Sequence, residues 1–586
     1  MTALLTVDDL GIAFDAGEVV RGVSLQVREG ETLALVGESG SGKTLTGKAV
    51  MGLLPRKARL TRGSIRFRGE ELTTATPRRL RELRGGEIGM IFQEPMSSLS
   101  PFHTIGAQVT EGLTLHTGAR GREAKAKVMD TFGKVGFADP ERTYDAYPFE
   151  LSGGMRQRAM IAMATVCEPE LLIADEPTTA LDVTTQALIL DLIERRQSQT
   201  GMAVLLITHD LGVVANMADR ITVLRDGRIM EAGGARDLLA DPRHPYLKRL
   251  IDAAPDVDVA AAPDPPVRND VIVEARDVSK TFVSKGRGLF GIGSEEVRAL
   301  RDVDLTIPRG ETVALVGESG SGKSTLANVV MRAIRPDPGA TVKYYCGDTG
   351  HAYDVPTIEG DDLMKFRREV GIVFQDPYAS LSPRMTVQDI LAEPLAIHGV
   401  CGRRESRERS AAMLERVGLS ASHLSRFPHA FSGGQRQRIS IARSLMLGPK
   451  LLICDEPTSA LDVSVQAQVL SLLAELREEM GLSYLFISHD LAVVSRLADE
   501  ICVMCRGAIV EQAPARKLFE APEHPYTRAL IAAAPDPDPD TKLDLEQIAA
   551  GAGARPEDWP DPYRYDRDDP LPLREVEPRH YVRMAA

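Results

Sequence analysis

Two acidic pairs, Asp175-Glu176 and Asp455-Glu456, end the short apolar runs Leu171-Leu-Ile-Ala174 and Leu451-Leu-Ile-Cys454. At the carboxyl end of a buried strand, the first acid of such a pair can hold a divalent cation. The second can orient and deprotonate a water. Acids there also cap helices, so the pairs need a partner before they mean chemistry. Each has one upstream. Gly37-Glu38-Ser39-Gly40-Ser41-Gly42-Lys43-Thr44 fits G-x-x-x-x-G-K-[ST], and Gly317-Glu318-Ser319-Gly320-Ser321-Gly322-Lys323-Ser324 fits it again. The glycines let backbone amides wrap an anion, and the next helix adds positive potential at its N-terminus. Lys43 and Lys323 would reach the β- and γ-phosphates, while the Thr44 and Ser324 hydroxyls would help hold Mg²⁺. Both matches lie between an apolar run and a helix-like segment, which excludes chance and implies a nucleoside triphosphate.

His209 and His489 follow the next apolar runs, in Ile-Thr-His-Asp and Ile-Ser-His-Asp. A lone histidine there reads as a satisfied polar residue. Its recurrence one strand after the acids in both halves favours a hydrogen bond to the γ-phosphate that positions the water. Leu151-Ser-Gly-Gly-Met155 and Phe431-Ser-Gly-Gly-Gln435 precede helical stretches. Ser152 and Ser432 suit helix N-caps, and the same helix starts could form a second anion site.

These groups recur at one spacing. Gly37 returns as Gly317, Ser152 as Ser432, Asp175 as Asp455, His209 as His489 and His244 as His524. Strands alternate with helical patterns in each copy, as in a mainly parallel sheet covered by helices, so the fold class is α/β. The division is 1–253, a proline- and aspartate-rich linker at 254–270, a second domain at 271–535 and an acidic, proline-rich tail at 536–586. Disorder is expected over roughly the first twenty tail residues, whereas 570–576 is expected to pack back on a domain. A glycine-rich insertion, 285–296, reads as an exposed loop.

The 586 residues are 43% hydrophobic with a net charge of −13, which argues against a protein that tracks nucleic acid on a basic surface. No run approaches the roughly 18 apolar residues of a membrane span, and the N-terminus lacks the form of a signal peptide. A soluble chain in the compartment that makes ATP is expected. Six cysteines do not make a disulfide framework. Cys502 and Cys505 sit three apart on one apparent strand, which points them to opposite faces, poor geometry for a shared metal. Cys346 and His351 read as loop residues.

Taken together the constellation resembles the ATP-binding subunits of ABC transporters, from about residue 5 to about residue 535. Phe14 and Phe282 match the aromatic that stacks on adenine. The P-loops follow, then Gln93 in Phe-Gln-Glu-Pro and Gln375 in Phe-Gln-Asp-Pro. Ser152-Gly153-Gly154 and Ser432-Gly433-Gly434 match the signature motif, and Ala180-Leu-Asp182 and Ala460-Leu-Asp462 stand behind the acid pairs. The resemblance implies two tandem P-loop NTPase domains of ABC type, each with a mainly parallel core, an antiparallel β subdomain and a helical subdomain. It implies a head-to-tail pair closing on two ATP molecules, the P-loop of one half facing the signature of the other. Glu176, Glu456, His209, His489, Gln93 and Gln375 would be catalytic. Thr44, Gln93 and Asp175, with Ser324, Gln375 and Asp455, would hold Mg²⁺. Met155, where Gln435 stands in the other half, is the one departure.

His244-Pro-Tyr246 and His524-Pro-Tyr526 are similar to the C-terminal motif of oligopeptide and dipeptide importer ATPases. Many relatives carry a four-cysteine iron–sulfur segment after it; no cysteine follows Cys505, so no cluster is expected. The implied partners are two membrane permeases and an extracytoplasmic solute-binding protein, with no nucleic acid. Segments after Gln93 and Gln375 would receive permease helices at the cytoplasmic face of the inner membrane. Export ATPases with separate membrane subunits and twin-ABC proteins acting on ribosomes or DNA share this layout. The His-Pro-Tyr segments argue against the former; the short acidic linker argues against the latter.

Overall fold

The apolar runs that end in the acid pairs are the centres of two sheets. The structure, a computed structural model, describes residues 3–93, 98–178, 181–254, 270–285, 294–346, 351–459, 461–552, 555–566 and 570–585. The expected linker and insertion, and Ala180 and Ala460, lie wholly or largely outside the described residues.

In the first half, Leu171–Asp175 runs between Ile88–Ile91 and Ala203–Thr208, and Thr32–Val36 runs between Ala203–Thr208 and Arg220–Arg225. These five strands are parallel, and Arg228–Gly234 closes one edge antiparallel. Layers cover both faces, which is why the strands read as unbroken apolar runs instead of alternating ones. Leu172, Ala174, Val204 and Leu206 pack with the helices Ile105–Thr117, Gly121–Lys134 and Gly153–Thr165. Leu171, Ile173, Leu205 and Ile207 face the other way, toward Val7, Val23 and Ile65 of a four-stranded antiparallel sheet. Strand periodicity sorts them. Parallel register brings carboxyl ends side by side: Val36 is level with Thr208, and Asp175 with Ile207. P-loop, acid pair and histidine therefore leave the sheet at one edge.

The second half repeats the plan with Val370–Val373, Leu451–Asp455, Ser483–Ile487, Thr312–Val316, Glu500–Cys505 and Ala508–Pro514 in that spatial order. Cys502 and Cys505 fall in cores on opposite faces of this sheet. Burial pushes both thiols above their ordinary pKa, which removes the thiolate that a metal or a disulfide exchange would need.

The tail joins both halves. Leu573–Glu577 and His580–Arg583 form a hairpin that extends the second sheet beyond Ala508–Pro514. Residues 536–552 do not behave as the composition suggests. Leu545–Ala552 is a helix whose Ile548 is fully buried with Val183 and Ala187 of the first half. Leu543 donates its N–H to Asn216 Oδ1 at 3.2 Å, and Asp540 pairs with Arg236. A few apolar residues suffice here because the first half supplies the surface that buries them. Among the described residues no helix is long and apolar enough to cross a membrane.

Candidate active site

At Gly37 a side chain would meet the Leu224 carbonyl oxygen at 2.1 Å, so only glycine lets the loop pass. Gly42, at φ 100°, then starts the helix Lys43–Val50 from the left-handed region. Lys43 is 5% exposed and curls inside the loop, donating to Gly37 O at 2.6 Å and Glu38 O at 3.0 Å. Lys323 donates to Gly317 O and Glu318 O, both at 2.8 Å. Burial pulls both ammonium groups below their ordinary pKa. Carboxylates resist the shift, and for each lysine one of them belongs to the opposite half: Asp462 for Lys43 and Asp182 for Lys323.

Thr44 donates through Oγ1 to Asp175 Oδ1 at 3.0 Å, and Ser324 to Asp455 Oδ1 at 3.1 Å. Hydroxyl, carboxylate and glutamine carbonyl make a hard oxygen donor set beside a phosphate loop, which suits Mg²⁺. Burial raises the pKa of Asp175 and Asp455, opposed by these hydroxyl bonds. Glu176 and Glu456 take φ values of 48° and 46°, the left-handed region, at a cost on the order of 1 kcal/mol each. Their N–H groups donate to Ile207 O and Ile487 O at 2.8 and 3.0 Å. The same turn sets each carboxylate between two side chains. Gln93 Nε2 donates to Glu176 Oε2 at 2.7 Å while His209 Nδ1 lies 3.2 Å from Oε1. Gln375 and His489 hold Glu456 at 2.7 and 3.3 Å. Burial alone would lower the histidine pKa values, but the bond to the glutamate and its charge carry both above the ordinary value. With Nδ1 turned to the glutamate, Nε2 is left to donate.

Around the second P-loop, Lys323, Ser324, Gln375, Glu456 and Arg506 line a cavity of about 320 Å³. Val297, on its wall, is level with Phe282 across the strand pair; Phe14 is likewise level with Gly17. Phe282 is 43% exposed, and Lys280 Nζ lies 5.6 Å from its ring centre. Phe282 thus stands at the rim of this cavity. Ser152 caps its helix by accepting from Met155 N–H at 3.3 Å, and Ser432 from Gln435 N–H at 3.4 Å. Gln435 returns a bond to Ser432 N–H, which Met155 cannot. None of residues 152–154 lines the cavity at the second P-loop.

What the opposite half does bring to each P-loop is the segment after the acid pair. Ser39 N–H donates to Asp462 Oδ1 at 2.7 Å and Ser464 Oγ to Glu38 Oε1 at 2.7 Å. Thr184 Oγ1 donates to Glu318 Oε1 at 2.5 Å. Two tyrosines missed as site residues also hold the loops: Tyr246 Oη accepts from Glu38 N–H at 3.2 Å and Tyr526 Oη from Glu318 N–H at 3.1 Å. Their signal was present in the doubled His-Pro-Tyr. His244 and His524 cap the helices that carry them.

Residues 20–179 and 300–459 match the model of the ABC transporter family. The chain belongs to the ABC transporter family. It is accordingly an ATP-binding protein and an ATPase with two tandem cassettes. Residues 230–283 and 510–560 match the oligopeptide/dipeptide transporter C-terminal region, and each stretch includes a His-Pro-Tyr segment. The glutathione import ATP-binding protein GsiA of Salmonella typhimurium is 44% identical over 564 residues, covering 91% of this chain and 89% of its own. The peptidoglycan transport ATP-binding protein YejF of Agrobacterium fabrum is 46% identical over 538 residues, covering 91% and 96%.

Proposed function

We propose that this ATPase powers an importer for peptides or peptide-like solutes. The match of both His-Pro-Tyr regions to the oligopeptide/dipeptide transporter region carries this reading. The cargoes in the relatives' names agree: glutathione is a tripeptide, and peptidoglycan carries peptide stems. Two permease subunits would supply the pore and an extracytoplasmic binding protein the solute, with this chain at the cytoplasmic face of the inner membrane.

In the mechanism we infer, Phe14 and Phe282 stack on adenine, and residues 37–44 and 317–324 wrap the phosphates. Thr44, Asp175 and Gln93, and Ser324, Asp455 and Gln375, would hold Mg²⁺, which when bound neutralises phosphate charge. Glu176 or Glu456 accepts a proton from water as its oxygen attacks the γ-phosphorus and the bond to the β–γ bridging oxygen breaks. The contacts from Gln93 and His209, and from Gln375 and His489, leave each carboxylate little freedom, so little reorganisation remains. Nε2 of His209 or His489 donates to the γ-phosphate oxygens. Ser152, Gly153 and Gly154 would cover the nucleotide on Lys323, and Ser432, Gly433 and Gly434 that on Lys43, excluding bulk water. Contacts of Asp462, Ser464 and Thr184 with the opposite P-loop support such an arrangement.

Reconstitution tests the reading. Vesicles holding the chain with its membrane partners should take up glutathione or short peptides only with ATP inside the compartment that faces this subunit. Association with ribosomes, or ATP-driven movement outward, would replace it.

A further inference from the structure

The two P-loops have the same tyrosine brace but different backing. Arg225 lies over the Tyr246 ring at 4.9 Å, and this tyrosine borders an open cavity of about 470 Å³ with Arg249, Asp252 and Ser464. In the second half the place of Arg225 is taken by Cys505, which is buried. There the backing comes from the tail. Trp559 is 1% exposed; its ring centre lies 6.2 Å from Tyr526 and, edge to face, 4.6 Å from His524 and 5.7 Å from Tyr565. His524 is fully buried and accepts the Tyr526 N–H through Nδ1 at 3.2 Å. Burial, with Arg583 and Arg528 nearby, pulls its pKa down to about 3, so Nδ1 stays an acceptor at working pH. Glu511 accepts the Glu523 and His524 N–H groups at 2.8 and 3.0 Å and meets His580 of the tail hairpin at 2.7 Å. A continuous path thus runs from Trp559 through Tyr526 Oη to the Glu318 N–H, and from Glu318 O to Lys323 Nζ.

We propose that Trp559 is a positioning residue for the second nucleotide site alone, so that the tail sets the affinity of one ATP site and leaves the other untouched. The inference rests on the assignment of both P-loops as nucleotide sites. A rigid aromatic against Tyr526 limits the positions its Oη can take, and therefore those of the loop amide that it holds. Among the described residues no aromatic ring packs on Tyr246, which is backed instead by the Arg225 guanidinium and by aliphatic neighbours.

Single-site variants separate the two loops. Lys43→Ala leaves the second site and Lys323→Ala the first, and binding of a fluorescent, non-hydrolysable ATP analogue reads each in the full chain. Trp559→Ala should weaken binding to the Lys43→Ala protein roughly threefold to tenfold, about what one hydrogen bond sustains, and leave the Lys323→Ala protein within twofold. Trp559→Phe should restore most of the loss. Tyr526→Phe keeps the ring but removes the acceptor, so it should reproduce the selective loss in a protein that folds normally. Equal weakening at both sites, or none at the second with either variant, overturns the proposal. Failure of the P-loop assignment shows separately, as undiminished analogue binding by the Lys43→Ala/Lys323→Ala double variant with Trp559 intact, and overturns both.

Discussion

Ser39 and Asp462 stand 423 positions apart in the chain and are joined at 2.7 Å, the Ser39 amide donating to Oδ1. A loop that would wrap phosphate in one half is thereby fixed by a carboxylate at the start of a helix in the other. Were a nucleotide bound in that loop, the opposite half would feel it without any long relay.

Asp462→Ala should therefore weaken coupling more than binding. The amide loses its acceptor, worth about 1 kcal/mol, and the helix Val463–Met480 loses the negative charge at its start. Steady-state hydrolysis against ATP concentration should show a Hill coefficient moved toward one and a rate reduced roughly fivefold. An unchanged curve would mean that this contact carries nothing between the halves.

Glu176→Gln and Glu456→Gln keep the shape held by Gln93 and His209, or by Gln375 and His489, while removing the proton acceptor. Each single change should lower hydrolysis substantially. The double change should abolish turnover, a loss on the order of a hundredfold or more, while ATP stays bound. Filter binding of labelled ATP beside phosphate release distinguishes this from a folding defect. Undiminished hydrolysis in the double variant removes both glutamates as bases.

The histidine–glutamate pairs also make stability depend on pH. His209 and His489 are half-buried, which disfavours charge, yet their glutamates win and hold the folded pKa above the unfolded value of about 6.5. The folded state then binds more protons than the unfolded one. Its extra stability is complete below about pH 6.5 and is lost as pH rises through the raised value. Melting temperatures of the wild type and the His209→Gln/His489→Gln variant should draw together as pH is taken from about 6.5 up through the raised value. A gap that stays constant over that range would show that these pairs do not titrate there.

Much of this site was legible because the chemistry dictates residue types at fixed spacings, and the chain states them twice. Lys43 must follow the glycines, and Asp175 must end a strand at the same sheet edge as Val36, with Ala203–Thr208 between the two. Other parts carry no such dictation. Ser464 and Thr184 are ordinary hydroxyls on helices until Glu38 and Glu318 approach from the other half. The left-handed turn at Glu176 is invisible because no glycine marks it. Ile548 and Trp559 sit in an acidic, proline-rich stretch whose composition cannot bury a core by itself. Their burial comes from surfaces made by Val183, Ala187, His524 and Tyr526, which composition does not report.

The glycines after Ser152 and Ser432 allow packing and chemistry to be separated. A Cβ on Gly153 would meet nothing within 4 Å, and on Gly433 only Leu461 Cδ2 at 3.8 Å. On Gly154 it would come within 2.7 Å of Thr185 Cγ2, and on Gly434 within 2.2 Å of Val465 Cγ1. The second glycine of each pair is therefore required by the helix that packs across it. The first is not. Gly153→Ala should melt no lower than the wild type, since alanine suits a helix better than glycine by about 1 kcal/mol. If this helix start closes on the nucleotide held by Lys323, the added methyl group lies where phosphate must approach the amides, and hydrolysis should fall tenfold or more. Gly154→Ala should lower the melting temperature first and activity with it. Full ATPase activity in a stable Gly153→Ala protein would take this helix start out of the nucleotide site.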